Sequence, residues 1–325
     1  DEIESGTDLV EFENSSDLSI SEQGKNKKKL LFKKIKKRSL KAGFYQLNLI
    51  YELDGQYYEN EQNFTWGVLA VNTHKSRYFE NETAFLGIVV LDDDGDMVCD
   101  SNVSLQIISP EGSVEILSTD NGKIFISDEC TVYGITNLPD YYGYYTVAGK
   151  GIYELNLTAK TFNGIRSVSD YFVVQKKIDY DIERIGPTRI YPAVKYNMSF
   201  LINSDKKYTG YVQEFVPSSF EITPQQGMEI SEWDNETLSL KWLVDLKKDE
   251  STFLTYQFDA PDRSPDLFIV GPLFVGSFFE ARQWKIGSDA ITVGNQSFGS
   301  CECGLLEFEH NATGIFVNSS IMPLS

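Results

Sequence analysis

Ten N-x-[ST] tripeptides, the acceptor pattern for N-linked glycosylation, occur among the 18 asparagines of this chain. Chance would give roughly three in a chain of this composition. Glycans attach to exposed asparagines of chains that have crossed a membrane. We therefore expect an extracellular, cell-surface protein whose signal peptide has been removed and which carries N-linked glycans. The acceptors are Asn14, Asn63, Asn81, Asn102, Asn156, Asn197, Asn235, Asn295, Asn311 and Asn318.

Catalytic motifs are absent from the sequence. It has two histidines, His74 and His310, and no pattern typical of serine hydrolases, P-loop proteins, zinc proteases or dinucleotide-binding domains. His310 lies beside the Asn311 acceptor, and His74 lies in a predicted loop, so we interpret both as surface residues. Among 48 acidic residues, two at glycosidase spacing could occur by accident. We expect no enzymatic activity.

Asp92, Asp94 and Asp96 alternate around Gly95, as do the first ligands of a calcium loop. The glycine and the later glutamate of an EF-hand are missing, so an acidic β-turn is the favoured interpretation. A structural Ca²⁺ is the alternative, and no other cofactor is expected.

A cluster of tyrosines flanks Gly143 and has two interpretations. It is either a platform for stacking sugars or a set of ordinary strand residues, which we favour. The residues are Tyr141, Tyr142, Tyr144 and Tyr145.

The four cysteines form an even set, which in an extracellular chain indicates disulfides. Cys99 and Cys130 are expected to pair, because both lie at strand ends in one predicted domain. Cys301 and Cys303 would close a strained ring if bonded to each other. Pairing with another chain and metal binding are the alternatives.

Charge divides the chain into three parts. Residues 1–23 carry eight acids and no base, residues 24–41 carry ten bases and no acid, and the remainder has 19 bases and 40 acids, a net charge of −21. This acidic body argues against binding to nucleic acid or to anionic membrane. The basic run should pack on an acidic body, its own or a neighbour's, with a polyanion or lipid as the next candidate. Its central residues are Lys28, Lys29, Leu30, Leu31, Phe32, Lys33, Lys34, Ile35, Lys36, Lys37 and Arg38.

Within the basic run, Leu31, Ile35 and Arg38 fall at helical spacing, which is compatible with a short amphipathic helix. From Gly43 onward, period-two alternation predicts strand after strand. Asp94-Gly95, Asn121-Gly122 and Asn163-Gly164 are hairpin signals.

The predicted fold is all-β: two tandem Ig-like β-sandwiches with an extended charged N-terminal arm and a polar C-terminal tail. The predicted boundaries are 1–41 for the arm, 42–177 and 178–293 for the sandwiches, and 294–325 for the tail. An extended linker is expected at 185–196, where Pro187 and Pro192 lie.

Three segments resemble known domains. Residues 78–113 resemble macroglobulin-type or bacterial Ig-like domains, through the hairpin at Asp92–Asp96 and the Ser109-Pro110-Glu111-Gly112 ending, although a glycosylation acceptor replaces the usual Pro-Gly entry. Residues 238–258 resemble the W-x-x-x-L-x-x-x-E repeat of prokaryotic adhesin stalks. FFEARQWKIGSDA, residues 278–290, is similar to segments of large prokaryotic and archaeal surface proteins. The resemblance implies a spacer, stalk or assembly unit, with an archaeal source.

These observations predict a structural subunit of a glycosylated extracellular filament or surface layer. Copies of the chain would assemble head-to-tail, the basic arm of one docking on the acidic body of the next. The alternative is an adhesin or carbohydrate-binding stalk that contacts other surface proteins or glycans through its tyrosine cluster.

Overall fold

All regular structure in the described residues is β-strand. The computed structural model describes residues 10–13, 18–22, 27–32, 43–53, 56–92, 94–130, 136–162, 164–289, 292–293, 296–297, 308–309 and 316–323. These ranges contain no helix that is long and apolar enough to cross a bilayer. The chain divides into two compact units, a terminal unit of residues 1–67 and 300–325 and a central unit of residues 68–299.

Five strands precede the central unit. They are β1 (Val10–Glu13), β2 (Leu18–Glu22), β3 (Lys27–Phe32), β4 (Gly43–Leu53) and β5 (Gln56–Trp66). The sequence of residues 64–71, which is rich in aromatic and apolar residues, is typical of a single strand. It is instead divided at Gly67, whose φ of 60° is costly for other residues.

The first sandwich contains nine strands. They are β6 (Val68–Thr73), β7 (Arg77–Tyr78), β8 (Thr83–Leu91), β9 (Asn102–Ile108), β10 (Val114–Ser118), β11 (Ile124–Ile126), β12 (Tyr141–Thr146), β13 (Gly151–Thr161) and β14 (Gly164–Val174). One sheet has the order β10-β9-β13-β14-β7 and the other β11-β12-β8-β6. Alternate residues such as Val103, Leu105 and Ile107 are fully buried between the sheets, as their period predicted.

The Asn121-Gly122 turn does not make a hairpin. It joins β10, in the five-stranded sheet, to β11, in the four-stranded sheet. The Asn121 side-chain oxygen accepts from the backbone N–H groups of Ser118 and Lys123, and Gly122 has a φ of 69°. The dipeptide therefore fixes a tight turn, but it does not determine whether the flanking strands pair.

The second sandwich contains twelve strands. They are β15 (Tyr180–Ile185), β16 (Arg189–Ile190), β17 (Tyr196–Ser204), β18 (Tyr208–Pro217), β19 (Glu221–Thr223), β20 (Met228–Glu232), β21 (Thr237–Leu246), β22 (Glu250–Asp259), β23 (Asp266–Val270), β24 (Phe274–Val275), β25 (Phe278–Phe279) and β26 (Trp284–Ser288). Its sheets are β15-β17-β22-β19, β20-β21-β18-β24-β25 and β16-β26-β23. The predicted linker at 185–196 is part of this packing, because β16 pairs in parallel with β26.

Four short strands follow: β27 (Thr292–Val293), β28 (Gln296–Ser297), β29 (Phe308–Glu309) and β30 (Phe316–Pro323). The C-terminal segment is therefore not only a polar tail, since β30 lies between β1 and β4 in the sheet β1-β30-β4-β5. Strands β4 and β5, which the sequence placed in the first sandwich, belong to this terminal unit. Strand β30, the partner of β4, lies more than 250 residues later in the sequence, so local patterning could not show this pairing.

The basic run contains a strand where the sequence was compatible with a helix. Strand β3 lies between β2 and β29 in a three-stranded sheet, with Leu18 opposite Phe32 and Glu22 opposite Lys28. The helical interpretation is wrong for Lys27–Phe32, because strand pairing with the preceding segment satisfies this backbone. Residues 33–42 lie outside the described residues.

Candidate functional site

The acceptor asparagines whose side chains are described all reach the surface. Asn81, Asn102, Asn197 and Asn235 are exposed, and Asn156 is half-buried. Strand alternation places Asn102 and Asn156 on the outer face of the five-stranded sheet of the first sandwich. Their exposure meets the steric requirement for glycosylation. The side chains of Asn14, Asn63, Asn295, Asn311 and Asn318 lie outside the described residues.

The tyrosine cluster is divided between the two faces of its sheet. Tyr141 is fully buried and its hydroxyl donates to the Val98 carbonyl, and Tyr145 packs against the core. Tyr142 and Tyr144 point outward, and the Tyr144 side chain is 55% exposed. A platform of all four tyrosines therefore does not form.

Two phenylalanines complete the outward set, which we call the aromatic face: Phe85, Phe125, Tyr142 and Tyr144. The Tyr142 ring lies 5.4 Å from Phe125 and 6.1 Å from Phe85, both in stacked arrangements. Tyr144 meets Phe85 edge-on at 5.5 Å. Because the stacked rings cover one another, Tyr144 offers the most open surface of the group. Phe85 and Phe125 were missed, since a strand's outer face is expected to be polar.

His74 packs beside this face, with its ring 4.4 Å from Phe85. Burial lowers the pKa of His74, and Glu183, whose carboxylate lies 3.8 Å away, opposes that shift. This histidine is half-buried rather than a free surface residue. His310 lies outside the described residues.

Asp92 organises the acidic turn. Its carboxylate oxygen Oδ1 accepts from the backbone N–H groups of both Asp94 and Asp96, at 2.9 Å each. Burial raises the pKa of Asp92. Gly95 has a φ of 85° and packs against Ser264 of the second sandwich. In the described part of the chain no group of three or more His, Cys, Asp or Glu side chains could hold a metal, and calcium at this turn stays a prediction.

Cys99 and Cys130 form a disulfide, as the sequence predicted, with their Cα atoms 5.7 Å apart. The bond ties the segment after β8 to the segment after β11. Cys301 and Cys303 lie outside the described residues.

A charged cluster joins the two sandwiches at Asp170 of β14. Arg282 donates to both carboxylate oxygens of Asp170 at 2.5 and 3.1 Å, and also to the Val71 carbonyl. Lys285 of β26 donates to the same carboxylate at 2.7 Å. Burial alone would raise the pKa of Asp170, but the two cations hold it below its ordinary value. The sandwiches are thus linked by a buried, charge-assisted network.

A second charged cluster lies at Arg189 of β16, which is fully buried. Its guanidinium donates to Asp140 of the first sandwich at 2.6 Å, to Asp289 at 2.5 Å and to the Glu129 carbonyl. Burial alone would lower the pKa of Arg189, but the two carboxylates hold it above its ordinary value. Burial raises the pKa of Asp140.

A small apolar cluster also covers part of the junction. Gly287 of β26 lies so close to the first sandwich that a Cβ there would be 3.1 Å from methyl groups of Val68 and Val89. The cluster consists of Val68, Ala70, Val89 and Leu91 with the half-buried Met97 and Leu267. The charged network therefore acts alongside close apolar packing.

A third charged group lies inside the second sandwich. Arg184 bonds to both oxygens of Glu214, at 2.7 and 3.1 Å, and to Glu280. All three side chains are at least 97% buried, and the guanidinium also lies 4.6 Å from the Phe200 ring centre. Burial raises the pKa of Glu214 to about 7, with the neighbouring Glu280 adding to the effect.

A cleft of about 500 Å³ lies where the two sandwiches meet, and Phe79 forms part of its wall. Among the lining residues, Lys177 lies 3.9 Å from Asp205, and Asp181 lies 2.8 Å from Lys75, which also lies 3.0 Å from Glu82. Two carboxylates of the cleft, Asp181 and Asp205, therefore lie within ion-pair distance of lysines.

Comparisons with known proteins give only distant similarities. No family model matches the chain, and no curated protein matches it. A solved DUF4785 family protein from Legionella pneumophila is 11% identical, covering 82% of this chain and 88% of its own, with a TM-score of 0.25. Salmonella alpha-2-macroglobulin reacted with methylamine is 16% identical, covering 84% of this chain but only 21% of its own, with a TM-score of 0.26.

A chitinase from Bacillus thuringiensis is also similar, at 14% identity over 60% of this chain and 26% of its own, with a TM-score of 0.21. The chain therefore spans about a fifth of the macroglobulin and a quarter of the chitinase. TM-scores this low support no argument about function, and the all-β architecture rests on the strand pairing described above.

Proposed function

We propose that this chain is a structural subunit of an extracellular, N-glycosylated assembly, either a filament or a surface layer. The observation that supports it is the exposure of the acceptor asparagines: none of the five whose side chains are described is buried. The charged clusters at Asp170 and Arg189 suit this role, because they hold two sandwiches in one arrangement. The macroglobulin-type resemblance is part of the same proposal.

The role is non-enzymatic. The ionisable groups with the largest displacements of pKa, such as Glu214 and Tyr256, are fully buried in the second sandwich. No substrate reaches them there, whereas a catalytic acid or base must contact its substrate.

Assembly through the N-terminal arm requires an exchange of strands, since β3 is paired within its own chain. Strand β1 lies at one edge of its sheet and pairs with β30 through four residues. A neighbour's β1 would make the same hydrogen bonds with β30, so the exchange is a domain swap of identical strands. The basic run would follow β1 to the acidic body of the neighbour, and a contact of this head-to-tail type grows without closing.

Deletion of residues 1–41 tests this proposal. Electron microscopy of the native material should show filaments or a lattice, and the deletion variant should be a monomer. The control replaces Lys33, Lys34, Lys36 and Lys37 by glutamine, which keeps β1 to β3 and should weaken assembly without abolishing it. Polymers formed by the deletion variant would show that the arm is not the connector.

A second function, carbohydrate binding by an adhesin-like stalk, is supported by the open Tyr144 ring on the aromatic face. Tyr144→Ala should abolish binding on a glycan array, whereas Tyr211→Ala, at a similarly exposed tyrosine of the second sandwich, should not. An array without any bound glycan would remove this candidate.

A further inference from the structure

Four of the ten glycosylation acceptors have an aromatic residue two positions before the asparagine. With aromatic residues at 13% of the chain, about one would be expected. The pairs are Phe12 with Asn14, Phe79 with Asn81, Trp233 with Asn235 and Phe316 with Asn318. The side chains of the second and third pairs are described.

The turn between β20 and β21 holds Trp233, Asn235 and Thr237 in a fixed arrangement. The Trp233 N–H donates to the Thr237 carbonyl at 2.9 Å, so these two residues face each other across the hairpin. The Ser218 hydroxyl donates to the Asn235 carbonyl at 3.1 Å, and the Ser218 N–H donates to the Glu236 carbonyl at 2.7 Å. The tip that carries the acceptor is therefore anchored to the rest of the sandwich.

The Trp233 ring is placed beside the acceptor and left uncovered. It meets Phe215 edge-on, with ring centres 5.1 Å apart, and 63% of the residue is exposed. Two residues of chain span at most about 7 Å, so a sugar on Asn235 starts within reach of this ring. Leaving so large an apolar side chain in water is costly unless something covers it.

Phe79 and Asn81 have the same two-residue spacing in a turn of the first sandwich. The Glu82 N–H donates to the Phe79 carbonyl at 3.3 Å, which closes a turn with Asn81 at its third position. Asn81 has a φ of 68°, which asparagine adopts more readily than most residues. Phe79 is half-buried and lines the cleft of about 500 Å³, which has room for a monosaccharide.

We propose that the first sugar of the glycan on Asn235 packs its C–H face on the Trp233 ring, and that the glycan on Asn81 packs in the same way on Phe79. A pyranose ring has one face lined by C–H groups, and these are attracted to the electron-rich face of an aromatic ring. The glycans at these two sites thus contribute to folding stability. This inference rests on the proposed glycosylation of the chain.

A thermodynamic cycle tests the proposal in protein secreted by a host that adds N-linked glycans. Occupancy of each acceptor is measured first by mass spectrometry. The melting temperature is then compared for wild type, Asn235→Gln, Trp233→Ala and the double variant. We expect Asn235→Gln to lower the melting temperature by about 2–4 °C when Trp233 is present and by less than about 1 °C when it is alanine.

Two controls separate the glycan from the asparagine itself. In protein refolded from a host without N-glycosylation, Asn235→Gln should leave the melting temperature unchanged. Asn197→Gln removes a glycan next to Lys195 rather than an aromatic residue at the corresponding position, and it should have no effect in either host.

The outcomes distinguish this inference from the function on which it rests. Acceptors that are empty throughout the secreted chain would contradict the proposed glycoprotein. If Asn235 is occupied and Asn235→Gln lowers the melting temperature equally with Trp233 and with alanine at position 233, only the packing of sugar on tryptophan is refuted. Trimming the glycan enzymatically to its first sugar should retain the stabilisation, and loss of the effect at that step would also refute the proposal.

Discussion

The buried carboxylate of Glu214 predicts that the second sandwich loses stability as the pH rises. Glu214 shares one cation, Arg184, with Glu280, so the group carries one more negative than positive charge when both acids are ionised. Burial disfavours that state, and the pKa of Glu214 rises from 4.5 to about 7. A proton on Glu214 makes the cluster neutral.

The sign of the effect follows from proton linkage. The folded state binds this proton more tightly than the unfolded state, so the proton's contribution is fully present below about pH 4.5 and is lost as the pH rises through about 7. The difference between the two pKa values corresponds to about 3 kcal/mol. Above pH 8 the contribution of this group should no longer change.

Urea unfolding of wild type and Glu214→Gln between pH 4.5 and 8 measures this contribution. The free energy of unfolding of wild type minus that of the variant should fall by about 3 kcal/mol across the range. The difference is used because His74, Asp92 and Asp140 also have displaced pKa values, and these are common to both proteins. If the free energies of unfolding of wild type and variant change with pH in parallel, the reasoning is refuted.

A second variant keeps the prediction testable if Glu214→Gln does not fold. Glu280→Gln retains Glu214 but removes the neighbouring negative charge that helps to raise its pKa. The loss of stability should then move to lower pH than in wild type. An unchanged pH profile would show that the two carboxylates do not interact.

Three further changes have expected outcomes. Arg282→Met leaves Asp170 buried with one cation instead of two. We expect the free energy of unfolding, measured in urea, to fall by about 2 kcal/mol, and an unchanged value would show that the network does not contribute to stability. Replacing Cys99 and Cys130 by serine should cost about 3–4 kcal/mol, because the bond closes a loop of 31 residues in the unfolded chain; a loss below 1 kcal/mol would contradict this. Gly287→Val places methyl groups against the first sandwich and should lower the melting temperature by about 2–6 °C. An unchanged melting temperature would mean that the two sandwiches shift to accommodate the added side chain.

The strands of the central unit could be predicted because their patterns are local. Residues 103, 105 and 107 alternate with the polar residues Ser104 and Gln106, and residues 198, 200 and 202 follow the same period; each set is fully buried. The same alternation places Asn102 and Asn197 on the opposite face of their strands, and both are exposed. The pairing of Cys99 with Cys130 also followed from strand positions.

Pairing between distant strands could not be predicted in this way. Strand β4 carries no mark in its sequence that directs it to β30 rather than to the neighbouring sandwich. Asn121-Gly122 specifies a turn whose flanking strands enter different sheets. The spacing of apolar residues and the turn residues determine local geometry, whereas the order of strands in a sheet depends on which surfaces bury each other.

The buried charges are the largest part of the site that sequence reasoning missed. Glu280, Arg282, Lys285 and Asp289 follow one another in FFEARQWKIGSDA, and charged residues are rarely fully buried unless they are paired. One signal was available. These charged residues directly follow the 13-residue apolar run at 267–279, and a segment next to so apolar a run is typical of the protein interior. Asp170, the partner of Arg282 and Lys285, lies more than 100 residues earlier, and Arg189, the partner of Asp289, lies 100 residues earlier, so nothing local connects them.

The charged junction should specify one arrangement of the sandwiches rather than supply most of their attraction. Desolvating an ion network costs about as much as its interactions return, and apolar replacements of similar volume are often neutral or stabilising by about 1–4 kcal/mol. A triple variant with Asp170→Leu, Arg282→Met and Lys285→Met should therefore melt at or above the wild-type temperature. Its relative domain orientation should broaden, because apolar contacts lack direction. Residual dipolar couplings of the two sandwiches, fitted with one alignment tensor in wild type, should then require two. A single tensor would show that the orientation does not depend on the Asp170 network.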